Sequence, residues 1–363
     1  PPDWVSFNNN GFSIGASNGE INQSSQTYAS WTFRKAPKFF DIVTYTGNGS
    51  TQNISHSLDS QPGCVMIKKT SGAGDWMIWH RGLPAGYYLR FTTAANSNSF
   101  NDAYFGNSTT YVDPTSTQFT VGYGDLVNSN GATFVAYVFA HDAGGFGDED
   151  EQDVISCGSY TGNGSATGPV INLGWEPQWL LIKNATSSAN WMMQDVMRGL
   201  PVGGNYANLT ANTSGAEVVD SPRMDITSTG FQIKTTNSTY NSSGNTYIYI
   251  AIRRPMKTPK AGTEVFMPVT RNSTVGGVNY YTGFPVDFSI YNARTGPGMY
   301  AHARLTSGGR LSTTNTNAEI AGDVDNFSSN VGYQPGTNST LSNALTWNFK
   351  RAPGFFDVVA YTG

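Results

Sequence analysis

Charge is scarce in this sequence. Asp, Glu, Lys and Arg make up 13% of the 363 residues, and 21 Lys and Arg stand against 25 Asp and Glu for a net charge of −4. A nucleic-acid partner calls for a basic face, which this balance does not supply. Long apolar runs are missing too. None approaches the roughly 18–20 residues that cross a bilayer as a helix. Pro1-Pro-Asp-Trp4 carries neither a basic n-region nor an apolar h-region, so neither membrane insertion nor a signal peptide is expected. The two cysteines, Cys64 and Cys157, fall at non-equivalent places in the repeat described below. They allow one disulfide at most and their spacing does not demand it, so they read as buried free thiols.

Catalytic signatures are sparse as well. His56, His80, His141 and His302 sit at unrelated positions, and no His-x-x-x-His, His-Cys cluster or P-loop occurs. No zinc site, cofactor or enzymatic activity is therefore expected. Asp75, Asp102 and Asp113 could be arranged as a glycosidase pair, but any all-β chain of this size offers such carboxylates by chance. The acidic run Asp148-Glu-Asp-Glu-Gln-Asp153 lacks the alternating ligand spacing of a calcium loop and reads as solvated linker charge. Asn-x-Ser/Thr matches, for instance at Asn53 and Asn237, follow from composition alone.

What the chain has in abundance is Gly, Asn, Ser and Thr, with aromatic residues at 13%. So many aromatics rule out a disordered polar tract and leave a folded, β-rich, surface-polar chain. Self-similarity organises it. Trp31-Thr-Phe-Arg-Lys-Ala-Pro-Lys-Phe-Phe-Asp-Ile-Val-Thr-Tyr-Thr-Gly47 returns as Trp347-Asn-Phe-Lys-Arg-Ala-Pro-Gly-Phe-Phe-Asp-Val-Val-Ala-Tyr-Thr-Gly363, an offset of 316 residues. Inside that period Tyr45-Thr-Gly-Asn-Gly-Ser50 returns as Tyr160-Thr-Gly-Asn-Gly-Ser165, 115 residues on. Arg81-Gly-Leu-Pro84 matches Arg198-Gly-Leu-Pro201, and Gly131-Ala-Thr-Phe134 matches Gly244-Asn-Thr-Tyr247. A third, divergent copy fits between, with Thr282-Gly-Phe-Pro-Val-Asp-Phe-Ser-Ile-Tyr291 in the place of the Pro-then-apolar strand.

The expected domains are thus the C-terminal part of a preceding unit (1–37), unit one (38–145), unit two (154–256), a divergent unit three (262–354) and the first strand of a next unit (355–363). The chain reads as a window on a longer repeating polypeptide. In unit one, Phe40–Thr46, Gln61–Lys69, Trp76–Arg81, Tyr87–Thr93, Gln118–Gly122 and Thr133–Ala140 are short β-branched and aromatic runs bounded by turn residues. Such strands, with no long run of helical period, predict an all-β fold of tandem jelly-roll or lectin-like β-sandwich domains in a repeat array. Cys64-Val-Met-Ile67 and Trp179-Leu-Leu-Ile182 do not alternate, which suits central strands covered on both faces.

Trp76 and Trp191 share one slot and read as core aromatics. Trp79, Tyr87, Tyr88 and Arg90 flank the Arg-Gly-Leu-Pro turn of unit one alone, and are the candidate glycan-contact set if they are exposed. The alternative for them is core or inter-subunit packing. Pro37, Phe39, Phe40, Pro353, Phe355 and Phe356 form the inter-unit joint, with the phenylalanines expected to pack across it.

Phe40-Asp-Ile-Val-x-Tyr-Thr-Gly-Asn-Gly-Ser50, Ile54-Ser-His-Ser-Leu58, Asn172-Leu-Gly-Trp-Glu-Pro-Gln-Trp-Leu-Leu-Ile-Lys183 and Ser243-Gly-Asn-Thr-Tyr-Ile-Tyr-Ile-Ala-Ile252 resemble the tandem repeat modules of large virion proteins of tailed phages, marine and cyanobacterial phages among them. The resemblance implies a structural segment of a virion or extracellular fibre, most readily a tail fibre. Its partners would be neighbouring repeat units, other chains of the same fibre in a homo-oligomer and, at a distance, a host-surface glycan. Glycan-binding modules for host recognition are the alternative, and a polysaccharide depolymerase the second. The family brings no catalytic residues to carry over. Unit three departs from the pattern, lacking the Tyr-Thr-Gly-Asn-Gly turn and the central Trp.

Overall fold

The computed structural model describes residues 4–359 except 16–19, 27, 98–102, 108–109, 201–204, 271–279, 295–298, 307–308, 321–326, 328 and 334–343. Over these residues the chain is nearly all β. It falls into two compact units, Pro1–Ala36 and Pro37–Gly363. In the first, β1 (Val5–Asn8) and β2 (Gly11–Ile14) form an antiparallel hairpin with Val5 opposite Ile14.

The second unit holds three sandwiches in succession. Sandwich one is made of β3 (Phe40–Thr46), β4 (Gln52–Ser55), β5 (Cys64–Lys69), β6 (Met77–His80), β7 (Leu89–Arg90), β8 (Gln118–Val121) and β9 (Thr133–Phe139). Its larger sheet has the order β3-β9-β5-β6-β7, and β4 pairs with β8. Sandwich two is made of β10 (Ile155–Thr161), β11 (Val170–Asn172), β12 (Pro177–Asn184), β13 (Met192–Asp195), β14 (Tyr206–Thr210), β15 (Val218–Asp220), β16 (Met224–Thr227), β17 (Gly230–Ile233) and β18 (Thr246–Arg253). Its sheets run β10-β18-β12-β13-β14-β15 and β11-β17-β16. Sandwich three is made of β19 (Phe266–Thr270), β20 (Tyr280–Tyr281), β21 (Phe288–Ala293), β22 (Met299–Ala303), β23 (Arg310–Ser312), β24 (Gly332–Tyr333) and β25 (Ala344–Phe349). Its sheets run β19-β25-β21-β22-β23 and β20-β24.

One strand order therefore recurs three times. The first strand of each larger sheet pairs with the last, Phe40 facing Phe139, Ile155 facing Ile252 and Phe266 facing Phe349. The core lies between the larger and the smaller sheet. In sandwich two Leu180, Ile182, Tyr247 and Ala251 from one sheet meet Ile171, Met224, Phe231 and Ile233 from the other. Side chains alternate across each strand, so the neighbours Trp179, Leu181 and Lys183 stand on the outer face of the same sheet.

Three expectations need amendment. Strand β4 was not among the expected runs, because Ile54 is its one buried apolar residue. The strand expected over Tyr87–Thr93 is only two residues long. Residues 355–359 form no strand, whereas the first strands β3 and β10 are paired by the last strands of their own sandwiches, β9 and β18. Residues 360–363 of that expected strand lie outside the described residues.

The Tyr-Thr-Gly-Asn-Gly-Ser turn has a physical reason to recur. A one-turn helix precedes the last strand in both sandwiches, α1 (Asp125–Asn128) and α2 (Ser238–Asn241). Its final asparagine is fully buried in each case. Asn241 Nδ2 donates to Ser165 O and Thr235 O at 2.8 Å, while its Oδ1 accepts the Asn163 N–H at 2.8 Å. Asn128 repeats this with Ser50 O, Gly122 O and the Asn48 N–H. Tyr45 and Tyr160 donate their hydroxyls to Val127 O and Tyr240 O, in the same two turns. Asn241→Ala would strand buried backbone groups and is expected to destabilise the fold by roughly 2–4 kcal/mol, read from urea unfolding. A loss below about 0.5 kcal/mol would mean that water replaces the amide.

Candidate functional site

The proposed glycan set does not form an exposed shelf. Trp79 and Tyr88 are 4% and 6% exposed. Trp79 Nε1 donates to the Tyr111 hydroxyl at 2.9 Å, and the Tyr88 ring stands edge-on to Tyr104 at 4.8 Å. Tyr87 is half-buried. Arg90 pairs with Asp75 at 3.1 Å. The expectation of exposed aromatics thus gives way, for Trp79 and Tyr88, to core packing against residues brought from the long loop before β8.

The candidate carboxylates are likewise engaged. Asp75 also accepts from the Thr92 hydroxyl at 2.7 Å, and Asp113 accepts from the Tyr111 hydroxyl. Asp102 lies outside the described residues. In the acidic run Asp148 accepts from the Thr258 hydroxyl at 2.9 Å and Asp153 from the Gly144 N–H at 2.8 Å. Among the described residues no group of three or more His, Cys, Asp or Glu is placed to hold a metal.

Folding does bring a serine, a histidine and an aspartate together. Ser156 Oγ lies 3.5 Å from His141 Nδ1, and Asp142 Oδ2 lies 3.1 Å from the same nitrogen. A catalytic relay needs the nucleophile and the orienting carboxylate on opposite ring nitrogens. Here Nε2 faces Arg81 instead, so the group is a packing contact. Burial, and then the Arg81 charge, lower the His141 pKa to about 4. Gly15-Ala-Ser-Asn-Gly19 spells the Gly-x-Ser-x-Gly pattern, but residues 16–19 lie outside the described residues. A groove of about 310 Å3 beside sandwich three is lined by Lys257, Glu264, Phe284 and Lys350 among others. Its Lys257 is already paired with Glu264 at 2.9 Å.

The buried polar chemistry concentrates where one sandwich meets the next. Sandwich one lies on the outer face of the larger sheet of sandwich two. Lys183 on that face is fully buried. Its Nζ donates to Ala189 O at 2.7 Å and Asn184 O at 2.9 Å in its own sandwich, and to Ala94 O of sandwich one at 3.2 Å. With no carboxylate among these partners, desolvation lowers the pKa of the ammonium to about 8. Trp191 packs on Phe91 of sandwich one, with ring centroids 5.1 Å apart, and its Nε1 donates to Arg90 O at 3.2 Å. Trp191 is therefore an interface residue rather than part of its own sandwich's core. Trp76, in the same slot of sandwich one, is half-buried and stacks on Tyr137 at 5.7 Å.

Two further contacts lock this junction. The Gly82 N–H donates to His80 Nδ1 at 3.0 Å, so Nε2 carries the proton and donates to Tyr249 O of sandwich two at 3.1 Å. Burial keeps this imidazole neutral, its pKa lowered to about 3. A Cβ at Gly63 would lie 2.5 Å from Cys157 Cβ, so only glycine lets β5 start this close to β10. Cys64 and Cys157 are free and buried, and burial raises both thiol pKa values.

The junction between sandwiches two and three is ionic. Arg351 grips Glu176 with both terminal nitrogens, at 2.7 and 2.8 Å, and both side chains are 8% exposed. Its Nε donates to Asp357 Oδ1 at 2.5 Å, and its backbone N–H donates to Asp287 Oδ2 at 2.8 Å. Asp287 Oδ1 in turn accepts from Arg304 Nε at 3.0 Å, and Arg254 lies 3.8 Å from Glu176. Three arginines thus balance three carboxylates.

The joint residues divide. Phe356 packs on Phe288 and Phe349 of sandwich three at 5.6 and 5.2 Å, whereas Phe355 is 44% exposed. Phe40 lies on Tyr137 and Phe139 of its own sandwich at 6.2 and 4.9 Å. As the first residue of β3 it faces its ladder partner Phe139. Phe39 meets Phe40 edge-on at 6.4 Å. Pro37 and Pro353 are exposed. Each is followed by a left-handed residue, Lys38 at φ 60° and Gly354 at φ 71°, so both copies make the same tight turn.

Two outcomes follow from these junctions. Between pH 8 and 10.5 folded Lys183 has lost its proton and the unfolded chain still holds one. Stability from this residue therefore rises with pH through that window. Relative to Lys183→Met, the wild type should gain ~3 kcal/mol from pH 7 to pH 10.5, measured as the difference in unfolding free energy between the two proteins. Arg351→Ala would leave Glu176 buried without its main partner and should cost roughly 3 kcal/mol at neutral pH, seen as a lower midpoint in thermal unfolding.

No curated protein and no solved structure matches this chain. The model of one family, described as a domain of unknown function, DUF7483, matches residues 2–255. That span takes in both sandwiches of the lysine-centred junction, and by it the chain belongs to the DUF7483 family.

Proposed function

We propose that this chain is a segment of an extended fibre, a virion component of the tail-fibre kind or another extracellular filament, whose work is reach and stiffness for host attachment. It acts without catalysis or a cofactor. The observation that carries this reading is the burial of the outer sheet face of sandwich two beneath sandwich one. A hinge at that junction would expose Leu181, Ile248 and Ile250, which are 4%, 2% and 2% exposed, and would strip the Lys183 ammonium of a carbonyl partner. The Arg351–Glu176 fork supports the same reading at the next junction, because a two-point contact resists rotation as well as separation.

The glycan-binding alternative drew on Trp79, Tyr87, Tyr88 and Arg90, and the burial of two of them weakens its support. The depolymerase alternative drew on Asp75, Asp102 and Asp113, and the engagement of Asp75 and Asp113 by neighbouring side chains weakens its support.

Small-angle scattering on the purified chain, combined with a glycan array, tests the reading. The fibre reading expects one scattering profile at low and high salt for residues 37–363, and no retained sugar. A salt-dependent spread of conformations would overturn stiffness as the function. Selective glycan retention would transfer the reading to host recognition.

A further inference from the structure

The face that sandwich one covers on sandwich two has a counterpart on sandwich one itself. Strand register matches the two faces residue by residue. Met66 stands where Leu181 stands, Lys68 where Lys183, Val135 where Ile248 and Tyr137 where Ile250. Trp76 takes the place of Trp191. On sandwich two these side chains are nearly or fully buried. On sandwich one all five are half-buried, and Ile42 on the neighbouring edge strand is 41% exposed. Lys68 Nζ donates to Gly74 O, the counterpart of Ala189 O in the Lys183 cradle. This half of the cradle is built, and the face around it is apolar.

The established junction identifies what fits there. Sandwich one covers its neighbour with the segment that follows β7. The Phe91 N–H bonds to Trp76 O, and three residues later Ala94 O reaches Lys183. Sandwich three sends out a segment in the same way after β23. The Thr313 N–H bonds to Met299 O, and the carbonyl three residues later belongs to Thr316. Residues 313–319 are all exposed. They carry one charge, on Glu319, against Lys68 on the face in question. Sequence order agrees. The earlier sandwich covers the later one at the established junction, and the segment leading into sandwich one repeats the segment that ends sandwich three.

We propose that the outer face of sandwich one is a docking surface for a second copy of this chain, which lays the 313–319 segment of its third sandwich across Met66, Lys68, Trp76, Val135 and Tyr137. Such a contact joins unlike surfaces and leaves both ends free to repeat, so it builds an open filament rather than a closed dimer. The proposal rests on the fibre reading and gives it a growth contact.

Sedimentation velocity of the full chain over a range of concentrations tests it, with Val135→Asp and a Gly-Ser replacement of residues 313–319 as separate variants. Both changes are at exposed or half-buried positions, and circular dichroism and thermal unfolding check that each variant folds. The wild type should associate progressively with concentration. Each variant should weaken association roughly thirtyfold, the loss expected for a hot-spot contact. Mixing Lys68→Cys chains with Thr316→Cys chains should give a cross-linked heterodimer with a short bismaleimide. A wild type that stays monomeric throughout, or association that ignores both variants, overturns the docking surface. Stiffness of the single chain in scattering is unaffected by that result, so a monomer with a rigid profile removes this contact and leaves the fibre reading standing.

Discussion

In all three sandwiches the first strand of the larger sheet is hydrogen-bonded to the last, and most other features depend on that pairing. It places the entry and exit of each sandwich side by side. The joint to the next sandwich can therefore be short, as it is between Phe139 and Ile155. It also puts the last strand at the centre of the sheet, between the first strand and the apolar strand that follows the proline or glycine turn. A central strand has two faces to cover. One is covered by the smaller sheet of the same sandwich, and the other is left for a neighbour.

The two junctions rest on different chemistry. Between sandwiches one and two the contact is mostly apolar, with its polar atoms held in single, directed bonds, such as His80 to Tyr249 O. Between sandwiches two and three the contact is a balanced set of arginines and carboxylates. Desolvating such a set costs about as much as the ion pairing returns, so its value lies in geometry rather than in affinity. The DUF7483 family match ends after β18, at the boundary between the two kinds of junction. Sandwiches one and two share motifs and are interlocked, while sandwich three keeps the strand order with a different set of contacts.

Much of the fold was legible in the sequence, for local reasons. Strands such as Thr133–Phe139 and Thr246–Arg253 declare themselves by β-branched and aromatic density, and the unbroken apolar run at Trp179–Ile182 correctly signalled a strand covered on both faces. The Tyr-Thr-Gly-Asn-Gly-Ser turn recurs because Asn128 and Asn241 need its backbone groups. What could not be read are contacts between residues far apart in the chain. Trp79 and Tyr88 flank a turn and look exposed until Tyr111 and Tyr104 are placed against them. Lys183 ends an ordinary strand pattern, and only the arrival of Ala94 from another sandwich buries it. Glu176 and Arg351 are 175 positions apart, and neither stands in a motif that points to the other.

The pairing of first and last strands also governs how the chain acquires its structure during synthesis. The central position of each larger sheet stays empty until the final strand has been made, so the apolar strands that flank it must wait for a partner far downstream. Contacts of such long sequence separation make folding slow. Each sandwich is complete, however, before the next has more than its first strand, so folding can proceed sandwich by sandwich along the nascent chain. When sandwich two closes, its sheet shows an apolar outer face. Sandwich one, already made, is what shields it, and at that junction the order of translation becomes the order of assembly.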